Sequence, residues 1–183
     1  MKAEDGLDWC CGTLSPVNVV TTCLPDRPCE PLLALRSPVN RMSYQYWKQK
    51  RGERAMPKRA DFRPEVVPRH LPAILLIDVE GIDDLGVGVY RYRVVGTESV
   101  RLRGHDPTGK LVRDGFFWSS AEAAIAVYES VRTSGRHLYQ TAEFVSPEGR
   151  WRSEHTLLLP FSEGGTAVTQ ILVYSVARSS RES

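Results

Sequence analysis

The side chains with reactive potential in this 183-residue sequence are few and scattered. Cys10, Cys11, Cys23 and Cys29 are its four cysteines, all within the first 29 residues. A structural zinc site needs two close ligand pairs converging on one tetrahedron, and no CxxC spacing is present, so no metal centre is expected. A secreted disulfide framework would need a basic start and a long apolar leader. Asp5 and Asp8 stand in a broken apolar pattern instead, so reduced thiols in the cytoplasm are the expectation. Gly-x-Ser-x-Gly, HExxH and a phosphate loop are absent. Gly86 and Gly88 make a bare GxG that a strand follows, where a dinucleotide site has a helix. Glu143 and Glu154 could oppose each other across a hairpin, although paired strand carboxylates usually face solvent. Asp78, inside the run LLIDV, is the one carboxylate with an apolar neighbourhood suited to general-base chemistry, as in a small α+β cone isomerase. That enzymatic reading ranks last, and no catalytic residue is expected.

The background is ordinary. Hydrophobic residues make up 42% and charged residues 25%, values of a soluble globular chain of one domain. The net charge of +2 gives no global pull toward nucleic acid. Residues 41–70 carry nine Lys/Arg against three Asp/Glu, but no helix pair of a reader module accompanies them, so no nucleic-acid partner is expected. The longest apolar runs, 73–77 and 171–174, fall far below the ~18 residues of a membrane span.

Residues 1–40 carry Pro16, Pro25, Pro28, Pro31 and Pro38 and read as a flexible extension. Met42 stands where the first clean pattern opens, and a native start there is one hypothesis for the extension. A flanking helix is expected at 43–54 with Tyr44, Trp47 and Lys48 on one face, then a linker to 59. The domain proper is placed at 60–178, with a tail at 179–183. Strands are expected at 74–80 and 89–95, with Tyr90, Tyr92 and Val94 facing one way. Short helical turns follow at 97–103, then a turn at 105–109 in which His105 faces water. An irregular stretch carries Phe116, Phe117 and Trp118. Ser119 and Glu122 form a capping box that opens the longest helix of the core, with Ala124, Val127, Tyr128 and Val131 as its apolar stripe and Gly135 as its stop. Strands at 138–145 and 150–159 flank the turn SPEG, and a last strand spans 167–177. The order predicts an α+β domain, a five-stranded antiparallel sheet with helices packed on one face.

That order, and several segments along it, resemble the PAS domain and in particular one bacterial PAS-like family. Its members carry "YW…LRG…MPRRAD…IP…LP", and this chain has YW at 46–47, RG at 51–52, MPKRAD at 56–61, VP at 67–68 and LP at 71–72. YRVVGT at 92–97 is similar to "YRLVGT", and GHDPTGK at 104–110 to "GRDLTGR". SPEGR at 146–150 and LLLPFS at 157–162 are similar to "SPDGR…LLLPLS". The resemblance covers about residues 44–176. It implies a sensory or protein-interaction module without naming what is sensed.

The core residues narrow the cofactor. Residues 42–183 hold no cysteine, which excludes a flavin photoadduct, a chromophore thioester and a covalent c-type haem. The helix at 119–134 has no histidine to ligate haem iron, and no cofactor is named. A ligand between sheet and helix would be lined by Tyr92, Val94, Phe117, Ile125, Tyr128, His155 and Leu157, which combine apolar surface with a few polar tips. His155 shares its strand face with Trp151, Ser153 and Leu157. The flanking helix must dock on its own sheet or on a second copy. Tyr44, Tyr46 and Trp47 are the expected seam of a homodimer. Two readings stay open: a stand-alone sensor of a small apolar ligand, held in an apolar pocket between sheet and long helix, that acts through an unidentified partner protein in trans, or a ligand-free adaptor with a filled core. A cavity of a few hundred Å³ would favour the first.

Overall fold

The computed structural model describes residues 20–22, 37–66, 68–115, 121–145 and 151–179. Its first long element is helix α1, Pro38–Arg51. Ser37 is extended and Pro38 takes the first helical position, where its missing N–H is not needed. The helix therefore begins five residues before the expected 43, because Pro38 opens it instead of breaking it. Asn40, Ser43, Tyr44 and Trp47 are its buried residues, an i, i+3, i+4, i+7 stripe. Gly52 ends it at φ +58, with Lys48, Lys50 and Arg51 on the negative end of the helix dipole. Three 3-10 turns follow, Arg59–Asp61, Pro64–Val66 and Pro68–Ala73.

Strands β2 (Ile74–Ile82) and β3 (Gly88–Val95) form a hairpin whose turn is held by Asp83, its Oδ1 accepting from the Leu85 and Val87 amides at 3.0 Å. Helices α2 (Thr97–Arg103), α3 (Val112–Gly115) and α4 (Ala121–Ser134) come next. Strands β4 (Leu138–Val145), β5 (Trp151–Phe161) and β6 (Gln170–Ser179) close the chain. With β1 at Val20–Thr22, the strand order is β1-β4-β5-β6-β2-β3, antiparallel throughout. Five of these strands are the expected sheet. The sixth, β1 (Val20–Thr22), pairs with Tyr139–Thr141 of β4 and comes from the segment read as a flexible extension. The expected capping residue Ser119, the aromatic triplet 116–118 and the turn 146–150 lie outside the described residues.

Helices α2, α3 and α4 lie against one sheet face, as expected. Tyr90 of that face meets the Tyr128 ring at 5.5 Å, and Gly115 abuts Tyr92. The other face is not bare. The cross-strand set Tyr139, Leu157, Tyr174 and Ile74 points to the opposite side, where α1 and the 3-10 turns cover it. Trp47 Nε1 donates to the Pro160 carbonyl at 2.9 Å, Phe62 packs on Phe161, and His70 meets the Tyr174 ring edge-on. Of the two docking surfaces open to the flanking helix, its own sheet takes the buried stripe Asn40, Ser43, Tyr44 and Trp47 of this 14-residue helix. This also removes the expected dimer seam. Trp47 is 1% and Tyr44 2% exposed within one chain, and Tyr46 lies half-buried against Phe62. This helix interface is polar as well as aromatic. Among the described residues Asn40 Oδ1 and His70 Nδ1 are buried there without a hydrogen bond, and the Ser43 and Tyr174 hydroxyls are buried beside each other.

Candidate functional site

Two neighbouring regions of the helix-covered face concentrate its polar chemistry. At the hairpin end, Tyr90 and Tyr92 are buried and the Tyr90 hydroxyl donates to Glu129 Oε2 at 2.6 Å. The same oxygen accepts from the Gly88 amide and from Arg132 Nε, each at 2.9 Å, while Arg132 Nη2 donates to Oε1. The guanidinium and these donors hold the Glu129 carboxyl down at about 2. Burial, and then the adjacent carboxylate, push the Tyr90 phenol well above its ordinary range. A Cβ on Gly88 would stand 2.6 Å from the Tyr90 hydroxyl, so the glycine is what lets this amide reach Glu129. These bonds make the cluster a clasp between the hairpin and α4.

Along β5 and β6 the same face turns from apolar to polar. Leu158 and Val173 give way to Thr156 and Ser175, both buried, and then to Glu154, Ala177 and Arg152. The first turn of α2 stands over this patch and leaves a partly open cavity of about 40 Å³, lined by Glu98, Ser99, Arg152, Ser175 and Ala177. Gly96 sets that turn. Its amide donates to the Ile74 carbonyl at 2.7 Å, and a Cβ there would meet the Pro72 carbonyl at 2.3 Å. The Ser175 hydroxyl donates to Glu154. Arg152 Nε is buried with no hydrogen-bond partner, and the 3%-exposed Ser99 makes no side-chain hydrogen bond among the described residues. The cavity is thus lined by Arg152, Ser175 and Ala177 from the sheet and by Glu98 and Ser99 from α2.

The residues expected to line a ligand site divide. Tyr92 and Tyr128 share the helix-covered face, and Ile125 packs half-buried against the core beside them. Phe117 lies outside the described residues. Val94 is corrected: it is 42% exposed because a bulge shifts the register between Leu76 and Ile77, so Tyr92 and Val95 turn inward and Val94 outward. His155 and Leu157 are corrected too, since their face is the one under α1. His155 Nδ1 lies 2.8 Å from the Tyr139 hydroxyl, and its carbonyl accepts from Asn40. The next-door parity, Arg152, Glu154 and Thr156, is on the cavity's side of the sheet, and Arg152 lines it. Alternation marks which residues share a face, but both faces of this sheet are covered, so it gives no sign of which one holds a site.

Other candidates resolve into structure. Asp78 accepts a 2.6 Å bond from Gln170 and is not among the residues lining the cavity. Glu143 and Glu154 pair with Ser153 and Ala142 and so point to opposite faces. His105 is half-buried, with Nε2 3.0 Å from the Gly115 carbonyl, and does not simply face water. No helix among the described residues is long and apolar enough to cross a membrane.

A five-strand antiparallel sheet in the order β4-β5-β6-β2-β3, with short helices and one longer helix over its inner face, is a PAS-like α+β arrangement. The family model PAS_5, described as a PAS domain, matches residues 35–173, and the chain belongs to this PAS family. That match takes in α1. Among solved structures, the chain is similar to one titled "Structure of an RNA-binding Light-Oxygen-Voltage Receptor" at TM-score 0.50 and 15% identity. The likeness covers 91% of this chain and 40% of that one, so the chain spans less than half the neighbour's length, and at that identity it concerns the fold. Among curated proteins no sequence matches.

Proposed function

We propose that this PAS domain is a sensor of a small polar ligand held on the helix-covered face of the sheet, and that it passes the signal to a partner protein in trans. The observation that carries the reading is the polar patch in the middle of that face. A sheet interior built only for stability would be apolar there, because burying unpaired polar groups costs about 1–3 kcal/mol each. Thr156, Ser175, Ser99 and Arg152 occupy it instead. The cavity volume of about 40 Å³ suits a ligand of a few atoms, far below the ~300 Å³ at which drug-sized sites begin. This cavity is therefore too small for a flavin or a haem. The partner half of the reading follows the behaviour of PAS modules in general, whose output is a change of contact with another domain or protein.

Native mass spectrometry of the protein purified from its own host tests the reading. A non-covalent adduct that is lost on denaturation is expected. A bare mass of 20.6 kDa, with no compound of a small-metabolite panel raising the melting temperature, would return the domain to the ligand-free adaptor.

A further inference from the structure

Resting on the sensor reading, the geometry points to a ligand class: a carboxylate of two or three carbons that also carries a hydroxyl or amino donor, bound between α2 and the β5–β6 ladder. Three observations combine. The first is Arg152. Its Nε is buried without a hydrogen-bond partner, and its side chain forms no ion pair among the described residues. An unpaired guanidinium N–H is among the costlier groups to bury, and its planar fork matches a carboxylate edge in two parallel bonds. A water could take one N–H but would leave the charge uncompensated.

The second observation is the opposite wall. Glu98 lines the same space, so a bare anion would be drawn by Arg152 and repelled by Glu98. A ligand with a donor one or two bonds from its carboxylate satisfies both. Ser99 lines the same space and makes no side-chain hydrogen bond among the described residues, and Ser175 has spent its proton on Glu154 and so can only accept. The α2 wall thus offers the Ser99 hydroxyl beside the Glu98 carboxylate, and the sheet wall the Arg152 guanidinium beside the Ser175 acceptor, so each wall pairs a donor with an acceptor, as a 2-hydroxy or 2-amino acid requires.

The third is size. A water needs about 10–15 Å³ of such space, so about 40 Å³ accommodates roughly three heavy-atom groups, and the partly open mouth leaves room for a methyl. Glycolate and glycine, the smallest acids that carry such a donor, would fill this space and extend into its open mouth, where the methyl of lactate or alanine would also lie.

The test is calorimetric titration of the full chain with glycolate, glycine, acetate and neutral glycolamide at fixed pH and ionic strength, with melting curves alongside. Glycolate or glycine is expected to bind saturably below about 1 mM, with acetate at least about tenfold weaker and glycolamide silent. Arg152→Gln should weaken binding at least about tenfold, and Ser99→Ala, the milder change, about threefold to tenfold. Glu98→Gln should erase the preference over acetate while leaving acetate binding intact. Equal affinity in Arg152→Gln and wild type, or no saturable binding of any acid up to about 10 mM, overturns the ligand class. An adduct of another chemistry in native mass spectrometry would overturn the class and leave the sensor reading standing. A bare mass together with silent titrations would overturn both.

Discussion

Glu129 shows what a single residue contributes here. Its folded-state pKa of about 2 lies below the ordinary 4.5, so ionised Glu129 stabilises the folded form above the unfolded value, and that contribution is lost as pH falls from about 4.5 toward 2. Glu129→Gln keeps an acceptor for Tyr90 and Gly88 but loses the charge that Arg132 pairs with. Urea denaturation at pH 7 should show a loss of about 1–2 kcal/mol, shrinking toward zero at pH 2 as the wild type itself protonates. A penalty independent of pH would mean that the clasp acts through shape alone. Residue-scale chemistry was only partly legible. Tyr92 and Tyr128 could be placed on one face because strand and helix periods are strict. The clasp could not be read, since Glu129 meets Tyr90 across 39 positions and only through the open space left at Gly88. Arg152 was hidden for another reason: His155, three positions on, is the more chemically conspicuous side chain but belongs to the opposite face.

At the scale of elements, the stripe of α1 was visible as Tyr44 and Trp47 at helical spacing, and the element existed where aromatic periodicity placed it. What sequence could not supply was its surface. Trp47→Ala removes a side chain that is buried and hydrogen-bonded within its own domain, and should cost about 3–5 kcal/mol in denaturant titrations without altering the sedimentation behaviour of the folded protein. Folded protein that sediments more slowly in the Tyr44→Ala, Trp47→Ala double variant would restore this helix as a seam between copies. The bulge in the hairpin was equally hidden, because alternation in 89–95 reads without a break and only the pairing with β2 shows the slip. Gly96 is the hinge stone between the two halves. Gly96→Ala drives a methyl into two backbone carbonyls, of Pro72 and Leu71, and should destabilise by about 2–4 kcal/mol, measured by thermal and urea melts. Because α2 carries Ser99 and Glu98, the same variant should also lose the binding proposed for them.

For the whole molecule, the five-strand order and the helix-covered face were legible, since hairpin-length links between periodic strands leave few topologies. The extra strand was not, as three residues in a proline-rich stretch carry no periodic signal. Its position has a consequence for the sheet's edges. Val20–Thr22 occupies part of β4, and at the far edge Tyr92 exchanges backbone bonds with Gly109 and Lys110. A chain beginning at residue 37 would bare the β4 edge, a template for pairing with another strand. Sedimentation equilibrium of that truncation should show concentration-dependent self-association beyond that of the full chain. An unchanged distribution would show that three ladder pairs protect nothing.

The polar atoms stranded beneath α1 set a different quantity, the spread of local opening energies. Asn40 Oδ1 and His70 Nδ1 forgo hydrogen bonds that water would supply once the helix lifts, whereas Leu157, Leu158 and Ile171 gain nothing from exposure. The protein should therefore behave as at least two cooperative units toward deuterium. Amides of α1 exchange through a partial opening, and those of β5 and β6 exchange only when the entire domain unfolds.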